Sequence, residues 1–169
     1  MKAVDTVTHV RPRMGTLLAL TLCAGDPERR RVHAQLAFDV ARRWERVMSR
    51  HDGTSDLARL NRTAGLAISL EAPDLARVLR AARALSRRLE GAFDPTVGSL
   101  LDLWRSAARR GRPPSARDLR QALPGVGASA VQIVGPRVVL PRSSTSIDLD
   151  GFGKGVALDR MAAALRRQG

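Results

Sequence analysis

The stretch VQIVGPRVVLPRSSTSIDLDGFGKGVALDRMAAAL, residues 131–165, is where the chain changes its hydrophobic period. Val131 to Val134 and Arg137 to Leu140 are short apolar runs flanking Gly135 and Pro136, which predicts a hairpin. Ile147 to Leu149 reads as a third strand. A glycine-rich turn, Gly151 to Gly155, then leads into a helix in which Leu158, Met161, Ala162 and Leu165 recur at three- and four-residue steps.

Upstream of this stretch the period is mostly helical. Asp26 and Pro27 supply an N-cap and a first-turn proline, and Val32, Leu36, Val40, Trp44, Val47 and Met48 trace an apolar stripe that predicts a helix ending near Arg50. His51 to Thr54 is a turn by composition. Ser55 is placed to cap a short helix through Asn61, with Leu57 and Leu60 facing inward. Pro73 opens a second long helix with Leu75, Val78, Leu79, Ala82, Leu85 and Leu89 on one face, closed by Gly91. Arg105 to Pro114 reads as a basic, mobile loop, and Ser115 with Asp118 forms a capping-box pattern for a helix that stops before Pro124. Met14 to Cys23, MGTLLALTLC, is predicted as a strand, with Gly25 after it. Long helices come early and strands cluster late, so the expected class is α+β, in one domain covering residues 1–169.

Composition narrows the function. The chain has 169 residues, 44% of them hydrophobic, enough for a core without staples. Cys23 stands alone, which excludes an internal disulfide and a cysteine-cluster metal site. No apolar run reaches the ~18 residues of a membrane span. Asp5, His9, Arg11 and Arg13 interrupt what a secretory signal would need, so the expectation is a soluble, cytoplasmic protein. Lys and Arg number 29 against 16 Asp and Glu, a net charge of +13, which raises nucleic acid as a partner. The arginines are spread along the chain, however, and Phe38, Phe93, Phe152, Trp44 and Trp104 are too few for a base-stacking platform. A solvated arginine-rich surface is the better reading.

Two glycine patterns compete as phosphate cradles. Gly125, Gly127 and Ala130 fit the letters of GxGxxA but follow a helix and precede a strand, the reverse of the order that aims a helix N-terminus at a pyrophosphate. DLDGFGKGVALD, Asp148 to Asp159, has the right order: glycines let backbone N–H groups approach an anion, and Lys154 adds a full charge. Its bland reading is a tight connection. EGAFDPTVG, Glu90 to Gly98, holds Asp94 before Pro95, where a carboxylate ordinarily bonds its own backbone. His9, His33 and His51 have no ligand spacing, and no catalytic triad can be assembled.

Four blocks together resemble the FAD:protein FMN transferase family, ApbE: MGT at Met14 to Thr16, MSRHDGTSDLARLN at Met48 to Asn61, EGAFDPTVGSLLDLW at Glu90 to Trp104, and IDLDGFGKGVALDR at Ile147 to Arg160. The resemblance implies long helices on a mainly antiparallel sheet. It also implies a Mg2+-dependent transfer of FMN from FAD to a threonine hydroxyl of an acceptor flavoprotein. It places Met14, His51, Ala92, Phe93, Asp94 and Lys154 against FAD and gives the backbone carbonyl of Ala157 to magnesium, a hard-oxygen ligand type suited to that ion. Because family members continue beyond the helix that follows GKG, the chain is expected to be the N-terminal portion of such an enzyme. The rival expectations are a non-catalytic FAD- or ADP-binding module and an arginine-rich nucleic-acid-binding protein.

Overall fold

A two-residue turn sets the first element of the computed structural model, which describes residues 5–23, 26–127 and 130–168. Met14 and Gly15 both take left-handed φ, 52° and 69°, a turn whose twist suits an antiparallel hairpin. It joins β1 (Val7–Arg13) to β2 (Thr16–Leu22), with Arg13 paired to Thr16 and Val7 to Leu22. The strand predicted from Met14 to Cys23 therefore starts two residues later. β1 itself escaped the sequence reading because its half-buried positions include His9, Arg11 and Arg13, while Val10 faces outward. Gly25, which figured in that reading, lies outside the described residues, as do residues 1–4, 24, 128, 129 and 169.

The chain divides into two compact units. The first, Met1–Arg46 with Phe152–Gly169, holds the hairpin, most of α1 (Pro27–Met48) and α6 (Gly153–Arg166). Ala37 and Ala41 of α1 are buried with Met161 of α6, and Leu18, Leu20, Val40 and Leu165 pack against them. Small residues one turn apart on α1 let the neighbouring elements approach closely.

The second unit, Val47–Gly151, is built around the fully buried Leu57, Leu60, Leu75, Leu79, Val138, Leu140 and Ile147. Its helices are α2 (Asp56–Arg62), α3 (Pro73–Arg88), α4 (Gly98–Arg110) and α5 (Ala116–Ala122), the last followed by a 3-10 turn, Leu123–Gly125. β3 (Leu70–Glu71), β4 (Gln132–Val134) and β5 (Arg137–Val139) form an antiparallel sheet in the order β3-β5-β4, so the hairpin at Gly135 and Pro136 is present. The class is α+β, with long helices and small antiparallel sheets. Among the described residues no helix is long and apolar enough to cross a membrane.

Two expectations need correction. The loop read at Arg105 to Pro114 is helical through Arg110, because arginine is a good helix former and the stop is set by Gly111 in the left-handed conformation, φ 65°. Ile147 to Leu149 is not a strand. The side chain of Asn61 takes both backbone groups of Ile147: Nδ2 donates to its carbonyl at 3.0 Å, and Oδ1 accepts from its N–H at 2.8 Å. Asp148 N–H donates to the Pro95 carbonyl at 2.8 Å. A segment whose polar groups are spent in this way has no ladder to offer a sheet.

The short helices follow their caps. Ser115 and Asp118 make the reciprocal capping box. The hydroxyl of Ser55, buried at 1% exposure, accepts from Ala58 N–H at 3.0 Å and donates to the Ser49 carbonyl. Ser55→Ala is expected to lower stability by about 1–2 kcal/mol, since cap and tether are lost together. A thermal melt should fall by roughly 5 °C; an unchanged melt would show that Ser55 does not hold α2.

Candidate functional site

The start of α6 is the feature singled out by sequence as an anion cradle. Phe152 stands at its N-cap, no side chain caps it, and no acid occupies its first turn. Gly153 is buried, while Lys154 and Gly155 are exposed; Val156 N–H reaches the Phe152 carbonyl at 3.3 Å. A helix end of this kind, with a lysine in its first turn, presents positive potential. A Cβ on Gly155 would meet nothing within 4 Å, so the turn is open on that side.

In the same unit a cavity of about 180 Å³ has almost wholly apolar walls, which include Arg13, Met14, Leu18, Lys154, Ala157 and Met161. The hairpin turn delivers Met14 there, and Met14 N–H donates to Glu45 Oε1 of α1 at 2.6 Å, fixing the turn on the helix. Three of the sequence-predicted residues, Met14, Lys154 and Ala157, are thus brought to one cavity from opposite ends of the chain.

His51, Ala92, Phe93 and Asp94 belong to the second unit. His51 is exposed at a bend, with its N–H on Ser49 Oγ at 3.2 Å. Ala92 is exposed and Phe93 half-buried. Asp94 Oδ1 accepts from Thr96 N–H at 2.8 Å and from Thr96 Oγ1 at 2.6 Å, so one of its oxygens serves the turn as its bland reading expects. Thr96, fully buried, accepts in turn from Gly127 N–H at 2.7 Å. The block is stitched to the 146–148 segment, since Gly98 N–H also donates to the Ser146 carbonyl at 3.0 Å.

The second unit also holds an ionic group that sequence reasoning did not single out. Arg50 bridges Asp148 at 2.7 Å and Asp102 at 2.6 Å. The Arg50 and Asp148 side chains are 9% and 5% exposed, so that arm is a buried pair; Asp102 is 54% exposed. Burial alone would lower the Arg50 pKa, but its hydrogen bonds to Asp148 and Asp102 outweigh this and hold it above the usual arginine range. Asp148 Oδ1 also accepts from Asp150 N–H at 2.8 Å, shaping the approach to the glycine turn. Arg50, Asn61 and Asp148 stand inside two of the four quoted blocks, and their charge or amide chemistry at those positions was the signal available.

The magnesium expectation fits only in part. The Ala157 carbonyl is a suitable hard donor, but one donor is not an octahedral set, and among the described residues no three His, Cys, Asp or Glu side chains gather as metal ligands.

Against known proteins, residues 14–169 match the model of the ApbE family. The FAD:protein FMN transferase of Treponema pallidum is 28% identical over 161 residues, covering 90% of this chain and 44% of that protein. The enzyme of the same name from Rhodobacter capsulatus is 32% identical over 120 residues, 68% of this chain and 23% of its own length. Among solved structures, the apo form of the Pseudomonas stutzeri flavinyl transferase ApbE superposes with a TM-score of 0.84 at 26% identity, covering 98% of this chain and 54% of that one. The chain therefore spans less than half of these two curated relatives and about half of the solved structure.

Proposed function

This chain belongs to the ApbE family, and from that premise we propose that it forms the FAD-handling part of a FAD:protein FMN transferase. The observation that carries the reading is the meeting of Met14, Lys154 and Ala157, drawn from two separate blocks of the resemblance, around one cavity beside an uncapped helix start. Ala92, Phe93, Asp94 and His51 are the proposed flavin contacts of the second unit.

In the proposed reaction a threonine hydroxyl oxygen of an acceptor flavoprotein attacks the FMN phosphorus. The anhydride bond to the AMP phosphate breaks, AMP departs with the electron pair, and the hydroxyl gives up its proton; the product is a threonine phosphodiester of FMN. Lys154 and the dipole of α6 favour the negative charge of the diphosphate, and they do so without reorganising. In this reading the nucleophile comes from the acceptor. Magnesium is the proposed second component, with the Ala157 carbonyl as one of its ligands.

The test is a fluorescence titration with FAD, with and without Mg2+, followed by labelling of an acceptor flavoprotein. FAD binding without labelling would leave the chain a binding module; failure to bind FAD would end the reading. By itself the chain, spanning less than half of its curated relatives, is expected to bind FAD weakly and transfer little. Lys154→Ala should weaken FAD binding by roughly tenfold, the scale of one charge-assisted contact, with an unchanged melting temperature because Lys154 is exposed. Equal FAD affinity in parent and variant would remove Lys154 from the site.

A further inference from the structure

We infer that the end of α4 and the start of α5 form a docking surface for an acidic segment of another protein, one that carries an apolar anchor residue. The inference stands apart from the flavin reading, since none of its residues is a proposed FAD contact. Residues 109–120 hold five arginines, Arg109, Arg110, Arg112, Arg117 and Arg120, against one acid, Asp118. All five are exposed, and none makes a side-chain hydrogen bond or an ion pair among the described residues. Asp118 is spent on the capping box, accepting from Ser115 N–H at 3.2 Å and from Ser115 Oγ at 2.7 Å. Those bonds lower its pKa, and the nearby charges of Arg110 and Arg117 act in the same direction, so the packing of α4 on α5 gathers cations from both helices.

On α1 and α3 several arginines are neutralised within their own helix: Arg31 pairs with Glu28 at 2.7 Å, Arg42 with Asp39 at 2.9 Å and Arg77 with Asp74 at 2.8 Å. Arg109 and Arg110 suit the C-terminus of α4, but Arg117 stands in the first turn of α5, where the helix dipole disfavours a cation. Local stability therefore does not account for the cluster. Beside it runs an open, mainly apolar groove of about 350 Å³, lined by Trp104, Ala107, Ala108, Gly111, Arg112 and Pro113. Trp104 is 54% exposed, whereas Trp44 is buried. An apolar centre holding a tryptophan, with arginines around it, is the composition of a protein interface. A nucleic-acid strand asks for several stacking aromatics, and the groove lining holds only Trp104. A second copy of this chain is a poor occupant, because its net charge of +13 would meet the cluster with like charge. An acidic partner, by contrast, relieves the mutual repulsion of the five cations.

The probe is a labelled peptide of aspartate and glutamate with one central phenylalanine, titrated against the intact chain at ~0.15 M salt. A neutral twin with asparagine and glutamine in place of the acids, and an oligo-dT strand, are the comparisons. The acidic peptide should bind more tightly than either, and tryptophan emission should shift to the blue as Trp104 is covered. The double variant Arg110→Gln, Arg117→Gln should weaken peptide binding roughly fivefold, and Trp104→Ala roughly tenfold. The double variant Arg87→Gln, Arg88→Gln removes two exposed arginines from the last turn of α3 and should bind the peptide as the parent does. A parent that does not bind the peptide overturns the inference, as do equal losses in the two double variants, a Trp104→Ala protein of full affinity, or a neutral twin that binds as tightly. Binding of oligo-dT tighter than that of the peptide overturns it in favour of a nucleic-acid face. None of these outcomes touches the flavin reading, which its own FAD titration decides.

Discussion

Arg50→Met is expected to cost about 3 kcal/mol of folding stability, because it leaves the buried Asp148 carboxylate with only the half-exposed Arg105, 4.0 Å away, as a counter-charge. Asp148 is 5% exposed, and its other oxygen is committed to Asp150 N–H. The Asp102 arm contributes little to this figure, since Asp102 is 54% exposed and its pairing is screened by water. The measurement is equilibrium unfolding in urea at neutral pH, with Arg50→Met and Asp148→Asn combined in a double mutant. The double mutant should recover a large part of the loss, since the amide removes the stranded charge. A single mutant within 1 kcal/mol of the parent would mean that the pair contributes nothing net. The sign of the pH dependence follows from the raised Arg50 pKa: a cation held above its unfolded value adds stability that is lost only as pH rises through its folded pKa. That lies above the working range, so the Arg50 contribution should be flat between about pH 6 and pH 9.

What was legible in the sequence was what is local. Ser55 and Ser115 announce their helices because an N-cap acts on residues two and three positions away, and both caps are present. The hairpin at Gly135 was legible for the same reason. Illegible features depend on distant partners. Ile147 to Leu149 has the composition of a strand, and only Asn61, far away in sequence, diverts its backbone from a sheet. β1 was hidden because Arg11 finds its partner on α1, so a polar residue occupies an inward position. α4 was cut short in the reading because Gly111 and the arginines before it look like a loop until the helix is seen to end at the glycine itself. For the site, Lys154 and Met14 stood in recognisable blocks, whereas the cavity that joins them needs a hairpin turn and a helix from opposite ends of the chain and leaves no local trace.

Gly98→Ala and Gly155→Ala should behave in opposite ways, although both replace a glycine in the first turn of a helix. Alanine is the better helix former by about 1 kcal/mol, so propensity alone favours both changes. At Gly98 the new Cβ would sit 2.6 Å from the Ser146 carbonyl oxygen and 2.7 Å from its Oγ. That backbone cannot retreat easily: Gly98 N–H holds Ser146, Asn61 holds Ile147, and Pro95 holds Asp148. The clash therefore has to be relieved by moving α4 or the clamp, and Gly98→Ala is expected to cost about 3 kcal/mol or more. At Gly155 the Cβ meets nothing within 4 Å, so the expected effect is a gain of up to about 1 kcal/mol. Gly155 belongs to the glycine turn proposed as the diphosphate cradle, and in that reading a methyl group placed there would stand between the backbone and its anion. Gly155→Ala should thus melt at or above the parent temperature while binding FAD several-fold more weakly, the scale of one weakened hydrogen bond. A Gly155→Ala protein that gains stability and keeps full FAD affinity would show that the glycine serves only the bend, and the cradle would have to be sought elsewhere in the chain.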